Sequence, residues 1–370
     1  FTPSQLIERA MNAQQIWKNI SVDERAGLLV ECLEVIKGKF FEIAFATMHT
    51  TGQSFMMSFQ ASGPHSNDRA LEPIALGYEE LTRFPSSVLW EKPMGKFSIK
   101  LQKNFKAVPK GIGLVIGCST FPVWNTVPGL FADLITGNVC IVKPHPKAVL
   151  PIAIVVAEIR KVFCDNGFNP DIVQLGADSS NHLNTKELAE HPDVKLIDYT
   201  GGSAFGNYIE SIPNKTTFTE KAGVNSVIID SVNDIDLVMS NLAFSVSLYS
   251  GQMCTAPQNF FIPEKVKTSN GDLTFDEVVA KLQYHINAIT TNPKMGPGTF
   301  GAIQNEATLN RVQSIDKNGK VILQSTAVKN DEFVEARTAS PALLEAISSD
   351  KKLFEQELFG PIAIAIKTTD

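Results

Sequence analysis

The sequence has no Cys-x-x-Cys pair, no His-Glu-x-x-His, no basic cluster and no apolar run long enough to span a membrane. Each absence excludes something. Cys32, Cys118, Cys140, Cys164 and Cys254 are scattered, so they read as reduced thiols of a cytoplasmic protein rather than a disulfide frame. The histidines are equally scattered, and no metal site is expected. A formal net charge of −6 without a basic stripe argues against a nucleic-acid partner. The lack of ~20 consecutive apolar residues argues against a membrane span. Phe1 and Lys367-Thr-Thr-Asp370 read as cut ends, which leaves a targeting peptide open.

What is present is a chain of 370 residues, enough for two or three domains. Residues 1–92 read as helical. Ser21 and Glu24 form a capping box there, and Leu28, Leu29, Cys32, Leu33 and Ile36 share one face. Residues 95–108 alternate apolar and charged, the period of a half-exposed strand whose edge must pair, here with another subunit. From Pro109 strands alternate with helices. Strands fall at 112–116, 139–142, 172–175 and 194–199, which predicts a doubly wound, mostly parallel sheet. Ligands bind such sheets at the carboxyl ends of strands, so the loops at 117–123, 143–147 and 200–206 are the ones to inspect. Gly111–Gly117 imitates a dinucleotide fingerprint but lies across a strand, and Gly201–Gly206 lacks the Lys and Ser/Thr of a P-loop. Thr200-Gly-Gly-Ser203, between a strand and a helix, remains as a seat for a phosphate.

The stretch that organises the second half is Tyr249–Asn259. A helical face of Ile235, Val238, Leu242, Val246 and Tyr249 leads to Gly251, then Cys254, then a strand at Phe260–Ile262. A turn between a packed helix and a packed strand holds a thiol rigidly and leaves it open to a ligand.

Tyr199–Ser203, Phe218–Gly223, Gly251–Cys254 and Glu357–Pro361 follow one another as in the aldehyde dehydrogenase superfamily, which the chain resembles over essentially its whole length. The spacing of Glu220 and Cys254 is that expected between the family's general base and nucleophile. Thr51–Met57 and Gly63–Asp68 resemble the narrower PaaN-type proteins of phenylacetic acid degradation.

The resemblance implies a Rossmann-like cofactor domain (1–94 and 109–225), a bridging, oligomerising β-hairpin (95–108) and an α/β catalytic domain (226–370). It implies Cys254 as nucleophile, Glu220 as base for deacylation, and Gly201, Gly202 and Ser203 at the cofactor. It places Glu357 at the nicotinamide ribose, Phe359 near the ring and Lys143 at the adenine ribose. It implies an aldehyde oxidised to a carboxylic acid through a cysteine thioester, and the PaaN-type likeness implies an aldehyde of aromatic catabolism, a CoA-linked semialdehyde being one such substrate. A homodimer or homotetramer follows from the hairpin. The alternatives are a CoA-acylating dehydrogenase, which Glu220 opposes, and a catalytically impaired nucleotide-binding paralogue.

Three positions depart from the family pattern. Thr120 stands where an oxyanion-stabilising asparagine is usual, with Asn125 five residues late. Ala222-Gly223 replaces Gly-Gly. Pro146 replaces the acid that normally follows Lys143. The loop Lys143-Pro-His145-Pro-Lys147 therefore contains no carboxylate to repel a 2′-phosphate, and NADP is expected to bind, ahead of NAD.

Overall fold

Thr2 and Ser21 start the first two helices by offering their side-chain oxygens to backbone amides at the third helical position. In α1 (Pro3–Trp17) Gln5 reaches back to complete a capping box, whereas in α2 (Val22–Lys37) only half of the box expected from Ser21 and Glu24 forms: Ser21 accepts from the amide of Glu24. The computed structural model describes residues 1–369 and divides into two units: residues 1–44 with 60–220, and residues 45–59 with those from Lys221 onward. Two helices, α3 (Phe40–Thr51) and α4 (Phe55–Ser62), precede α5 (Pro64–Thr82).

The helical reading then fails. Ser87–Met94 is a strand, β1, paired antiparallel with β2 (Phe97–Asn104) from Ser87↔Asn104 to Met94↔Phe97. Val88, Leu89 and Trp90 suit a pleated surface, Pro93 has no amide for a helix, and β2 supplies the ladder. The expected strand over 95–108 is thus one arm of a longer hairpin. Both arms are exposed throughout, with Leu89, Phe97 and Leu101 in solvent.

The rest of this unit is the expected α/β sheet. Its elements are β3 (Ile112–Ile116), α6 (Val127–Ile135), β4 (Val139–Lys143), α7 (Val149–Asp165), β5 (Val173–Leu175), α8 (Thr185–Glu190), β6 (Val194–Thr200), α9 (Ser203–Ser211) and β7 (Thr216–Glu220). The strands are parallel in the order β5-β4-β3-β6-β7. Helices cover a parallel sheet on both faces, which is why β3 and β4 are buried along their whole length and read as apolar runs. Leu114, Ile141, Ile197, Phe131 and Phe163 form the core. Each such side chain contributes roughly 1.5–3 kcal/mol on burial. Trp17 brings α1 onto this core: its ring lies 5.5 Å from that of Phe163, and its Nε1 donates to the carbonyl of Leu134 at 3.2 Å. The chain leaves β3 toward β4 on one side and reaches β6 on the other. The carboxyl ends of these strands therefore form a topological switch point, the position at which sheets of this kind bind ligands.

The second unit holds β8 (Ser226–Ile228), β9 (Ser231–Val232), α10 (Ile235–Ser247), β10 (Asn259–Pro263), β11 (Lys265–Thr268), β12 (Gly271–Thr274), α11 (Phe275–Thr291), α12 (Met295–Thr299), α13 (Glu306–Gln313), β13 (Lys320–Leu323), β14 (Ala342–Ile347), α14 (Lys351–Phe354) and β15 (Ile362–Thr368). Its main sheet runs β13-β14-β15-β10-β8, parallel except at β13. Met239, Ala243 and Val246 of α10 share a core with Val278, Leu282 and Ile286 of α11 and with Phe260 of β10. No helix among the described residues is long and apolar enough to cross a membrane.

Candidate active site

The helix before Cys254 stops earlier than its apolar face suggests. It ends at Ser247, and Tyr249, Ser250 and Gly251 take φ of 50°, 51° and 62°. Only glycine enters this left-handed region without cost; the tyrosine and serine each store on the order of 1 kcal/mol or more. The surrounding structure holds them there. Tyr249 donates its hydroxyl to the carbonyl of Thr51 at 2.9 Å, and Ser250 donates to the carbonyl of Gly301 at 2.9 Å. Gln252 donates to the carbonyl of Ala302 at 2.8 Å and accepts from the amide of Gln304 at 2.9 Å. Gly251 lies against the carbonyl of Gly360, where any Cβ would overlap. All four residues from Tyr249 to Gln252 are buried, and two residues later Cys254 is half-buried.

Asn225 finishes the clamp. Its Nδ2 donates to the carbonyl of Cys254 at 2.6 Å and to that of Ala256 at 3.0 Å. Gly223 packs close to the same Cys254 carbonyl, and its amide donates to Glu357 Oε1 at 3.3 Å. Burial raises the Glu357 carboxyl above its ordinary range, against the opposing pull of the Gly223 amide and Arg311. Arg311 also donates to the carbonyl of Phe359 at 2.7 Å, which fixes the loop that carries this half-buried ring. Cys254, Asn225, Gly223 and Glu357 therefore form one cluster. The other thiols have different surroundings. Cys32 and Cys140 are buried and burial pushes both thiols up, Cys118 is raised in the same way, and Cys164 is on the surface.

In the first unit Glu220 ends β7, exposed, opposite Thr200 of β6. Asn125 donates from Nδ2 to Glu220 Oε2 at 3.4 Å and accepts from the Cys118 thiol at 3.5 Å. The Thr120 hydroxyl donates to the Cys118 sulfur at 3.8 Å. Asn125, five residues too late to replace the asparagine missing at 120, meets the Glu220 carboxylate instead.

The carboxyl ends of the strands suit a dinucleotide. At the end of β6, Gly202 is the N-cap of α9 and has no side chain with which to cap it. A Cβ on Gly202 would meet open space, so nothing there blocks an approaching phosphate. At the end of β4, Lys143 is 2% exposed and turned inward. Its Nζ donates to the carbonyl of Pro144 at 2.7 Å and pairs with Asp178 Oδ1 at 2.8 Å. Asp178, from the segment after β5, is thus the acid that pairs with Lys143, with both side chains buried. Burial, then the charges of Lys143 and Lys147, lowers the pKa of His145, whose Nδ1 accepts from the amide of Lys147 at 3.1 Å. Lys147 itself is exposed.

The sequence singles out Cys254, Glu220, Glu357 and the Gly251 turn, and the structure places Cys254, Glu357 and the turn in one cluster of the second unit and Glu220 at the end of β7 in the first. Asn225, Asp178 and the contact of Asn125 with Glu220 are not singled out by it. The signal for Asn225 was its place just before β8 in Ala222-Gly-Val-Asn225. For Asp178 nothing in the local pattern points to Lys143.

Three comparisons bear on this geometry. A model described as the aldehyde dehydrogenase family matches residues 4–370. The solved structure of an NAD-dependent aldehyde dehydrogenase from Burkholderia multivorans is 43% identical with a TM-score of 0.97, covering 100% of this chain and 67% of that one. An NADP-dependent glyceraldehyde-3-phosphate dehydrogenase from Bacillus halodurans, complexed with NADP, has a TM-score of 0.78 at 21% identity, covering 100% of this chain and 73% of that one. Among curated proteins, 1-pyrroline-5-carboxylate dehydrogenase of Bacillus subtilis is 23% identical over 374 residues, 98% of this chain and 68% of that protein.

Proposed function

The chain belongs to the aldehyde dehydrogenase family, and from that premise we propose how its own residues carry out the NAD(P)-dependent oxidation of an aldehyde. The Cys254 thiolate forms a bond to the aldehyde carbon. The Thr120 hydroxyl donates to the developing oxyanion. It is shorter than the usual amide, and loss of one such donor costs ~100-fold to ~1000-fold. NAD(P), when bound, supplies the hydride acceptor. Gly201, Gly202 and Ser203 hold the pyrophosphate at the start of α9, and Glu357 and Phe359 hold the nicotinamide end. Glu220 then takes a proton from water, whose oxygen attacks the acyl carbon and releases Cys254. The observation that carries this reading is the clamped left-handed turn that presents Cys254 beside Asn225, Gly223 and Glu357.

Both cofactors are expected to bind. Exposed Lys147 favours a 2′-phosphate, while Asp178 offsets the charge of Lys143 and weakens the lean toward NADP. The PaaN-like stretches Thr51–Met57 and Gly63–Asp68 support an aldehyde of aromatic catabolism, including a CoA-linked semialdehyde, in the cytoplasm. The curated 1-pyrroline-5-carboxylate dehydrogenases are too distant, at 20–23% identity, to carry their substrate over. The exposed hairpin of β1 and β2 supports assembly into a homodimer or homotetramer through its open edge.

The test is NAD(P)H production over an aldehyde panel that includes 1-pyrroline-5-carboxylate, with each cofactor and with and without CoA. Free acid formed without CoA is the expected product. A strict need for CoA would assign an acylating dehydrogenase. Cofactor binding without any turnover would assign an impaired paralogue.

A further inference from the structure

Two adjoining cavities lie in the first unit, of about 330 and 250 Å³, and they share Arg69, Pro128, Asp198 and Phe218. The smaller one reaches Glu220, and the larger one reaches Asp133. Asp198 lines both. The register of β6 and β7 pairs Asp198 with Phe218 and Thr200 with Glu220, so Asp198 and Glu220 project from the same face one diagonal apart. That diagonal is roughly 7–8 Å between backbones, a gap that two carboxyl side chains and one water bridge.

The sheet makes room for these acids. A Cβ on Gly129 would overlap the Asp198 carboxylate, and one on Gly113 would overlap that of Asp133. The groups facing Asp198 are Arg69 and Glu72 from α5, Asp133 from α6, Cys140 from β4 and Glu220 from β7. Arg69 is paired with Glu72 and stacked over Trp124, 5.3 Å from the ring. Burial, then the charge of Asp198, raises the Asp133 carboxyl well above its ordinary range, and it is bonded to the Cys140 thiol. Among the described residues Asp198 makes no ion pair and no side-chain hydrogen bond. A carboxylate so placed does not help the fold.

We propose that Asp198 is a positioning residue of deacylation: it takes the proton from Glu220 through a water of the shared cavity and releases it to solvent. In that step the water O–H bond breaks, its proton goes to Glu220, and its oxygen bonds to the acyl carbon. The C–S bond to Cys254 then breaks and the thiolate leaves. The proton on Glu220 passes to Asp198, and the base is ionised again for the next turnover. Burial, followed by the charge of Glu220, raises Asp198 to about 6, so near neutral pH it is mostly ionised and ready to accept. This inference rests on the assignment of Glu220 as base.

The experiment compares the burst and the steady rate of NAD(P)H production for parent, Asp198→Asn and Asp198→Glu from pH 5 to 9, with thermal unfolding at pH 4 and pH 8. Asp198→Asn is expected to keep the burst and lose on the order of tenfold or more in steady rate. It should also lose the acid limb near pH 6, and Asp198→Glu should restore most of the rate. An acid whose native pKa is raised costs stability as pH rises through that value and costs nothing below its unfolded value. Asp198→Asn should therefore melt above the parent at pH 8 and level with it at pH 4. A steady rate within twofold of the parent with the acid limb intact overturns the proposal. So does a lower melting temperature at both pH values with the burst lost, which would make Asp198 structural. Glu220→Gln separates the two assignments: a normal steady rate there removes the base itself, whereas a slow Glu220→Gln beside a normal Asp198→Asn removes only the relay.

Discussion

The thiol of Cys254 and the carboxylate of Glu220, proposed as nucleophile and base, are mounted in opposite ways. Cys254 follows a turn of three consecutive left-handed residues, each fixed by a buried hydrogen bond or by close backbone packing, and Asn225 pins its own carbonyl. Glu220 ends an outer strand, exposed, with one 3.4 Å side-chain hydrogen bond, from Asn125, to its carboxylate among the described residues. A nucleophile must meet one carbon along one direction, so rigidity around it lowers the cost of reaching the reactive geometry. A base that serves only after the cofactor chemistry gains from freedom to swing toward a water. The difference teaches that strain is stored where position matters and omitted where timing matters.

The comparison breaks most visibly if the base is removed. Glu220→Gln should leave the burst of NAD(P)H intact and slow the steady rate by about 100-fold, the low end for loss of a general base. Stopped-flow absorbance against steady-state turnover reads both, and an unaltered steady rate would show that another group activates the water. A smaller effect is expected from the thiol's mounting. Gly251→Ala adds a Cβ at φ 62° against the carbonyl of Gly360. It should cost roughly 1–3 kcal/mol of stability, since overpacking and a left-handed alanine both act there. Thermal or urea unfolding measures this, and alkylation of Cys254 should slow alongside. Unchanged stability would mean that the turn relaxes easily and that the proposed rigidity is absent. The smallest effect should come from Asn125→Ala, which removes one long contact to an exposed carboxylate. Steady-state kcat should fall a few-fold, on the order of 1 kcal/mol or less, with the burst unchanged. A loss as large as that of Glu220→Gln would show that Asn125 bonds the oxyanion or the water directly.

Much of this was legible in the chain. The buried parallel strands show as apolar runs because both faces of the sheet are covered, and the start of α2 shows in Ser21. Cys254 was legible because a helix, a glycine and a strand bracket it. What was hidden depends on contacts between residues far apart in sequence. Asp178 reaches Lys143 only because β5 lies beside β4, and Asp198 approaches Glu220 only through the register of β6 on β7. The strand Ser87–Met94 begins inside the stretch to 92 whose own pattern predicts helix, because the partner that makes it a strand lies in the following segment. Tyr249 fits the apolar period of α10 and yet lies beyond its end, because its hydroxyl is anchored to Thr51.

Iodoacetamide labelling alone does not isolate the nucleophile, since Cys164 lies on the surface and will also react. The direct measurement is to trap the covalent intermediate. Glu220→Gln enzyme is mixed with an accepted aldehyde and NAD(P), quenched in acid after one turnover, digested and analysed by mass spectrometry. The acyl group is expected as a thioester on the peptide containing Cys254, with unmodified peptides for Cys118 and Cys164. An acyl group on another cysteine, or full NAD(P)H release with no acylated peptide, would contradict it.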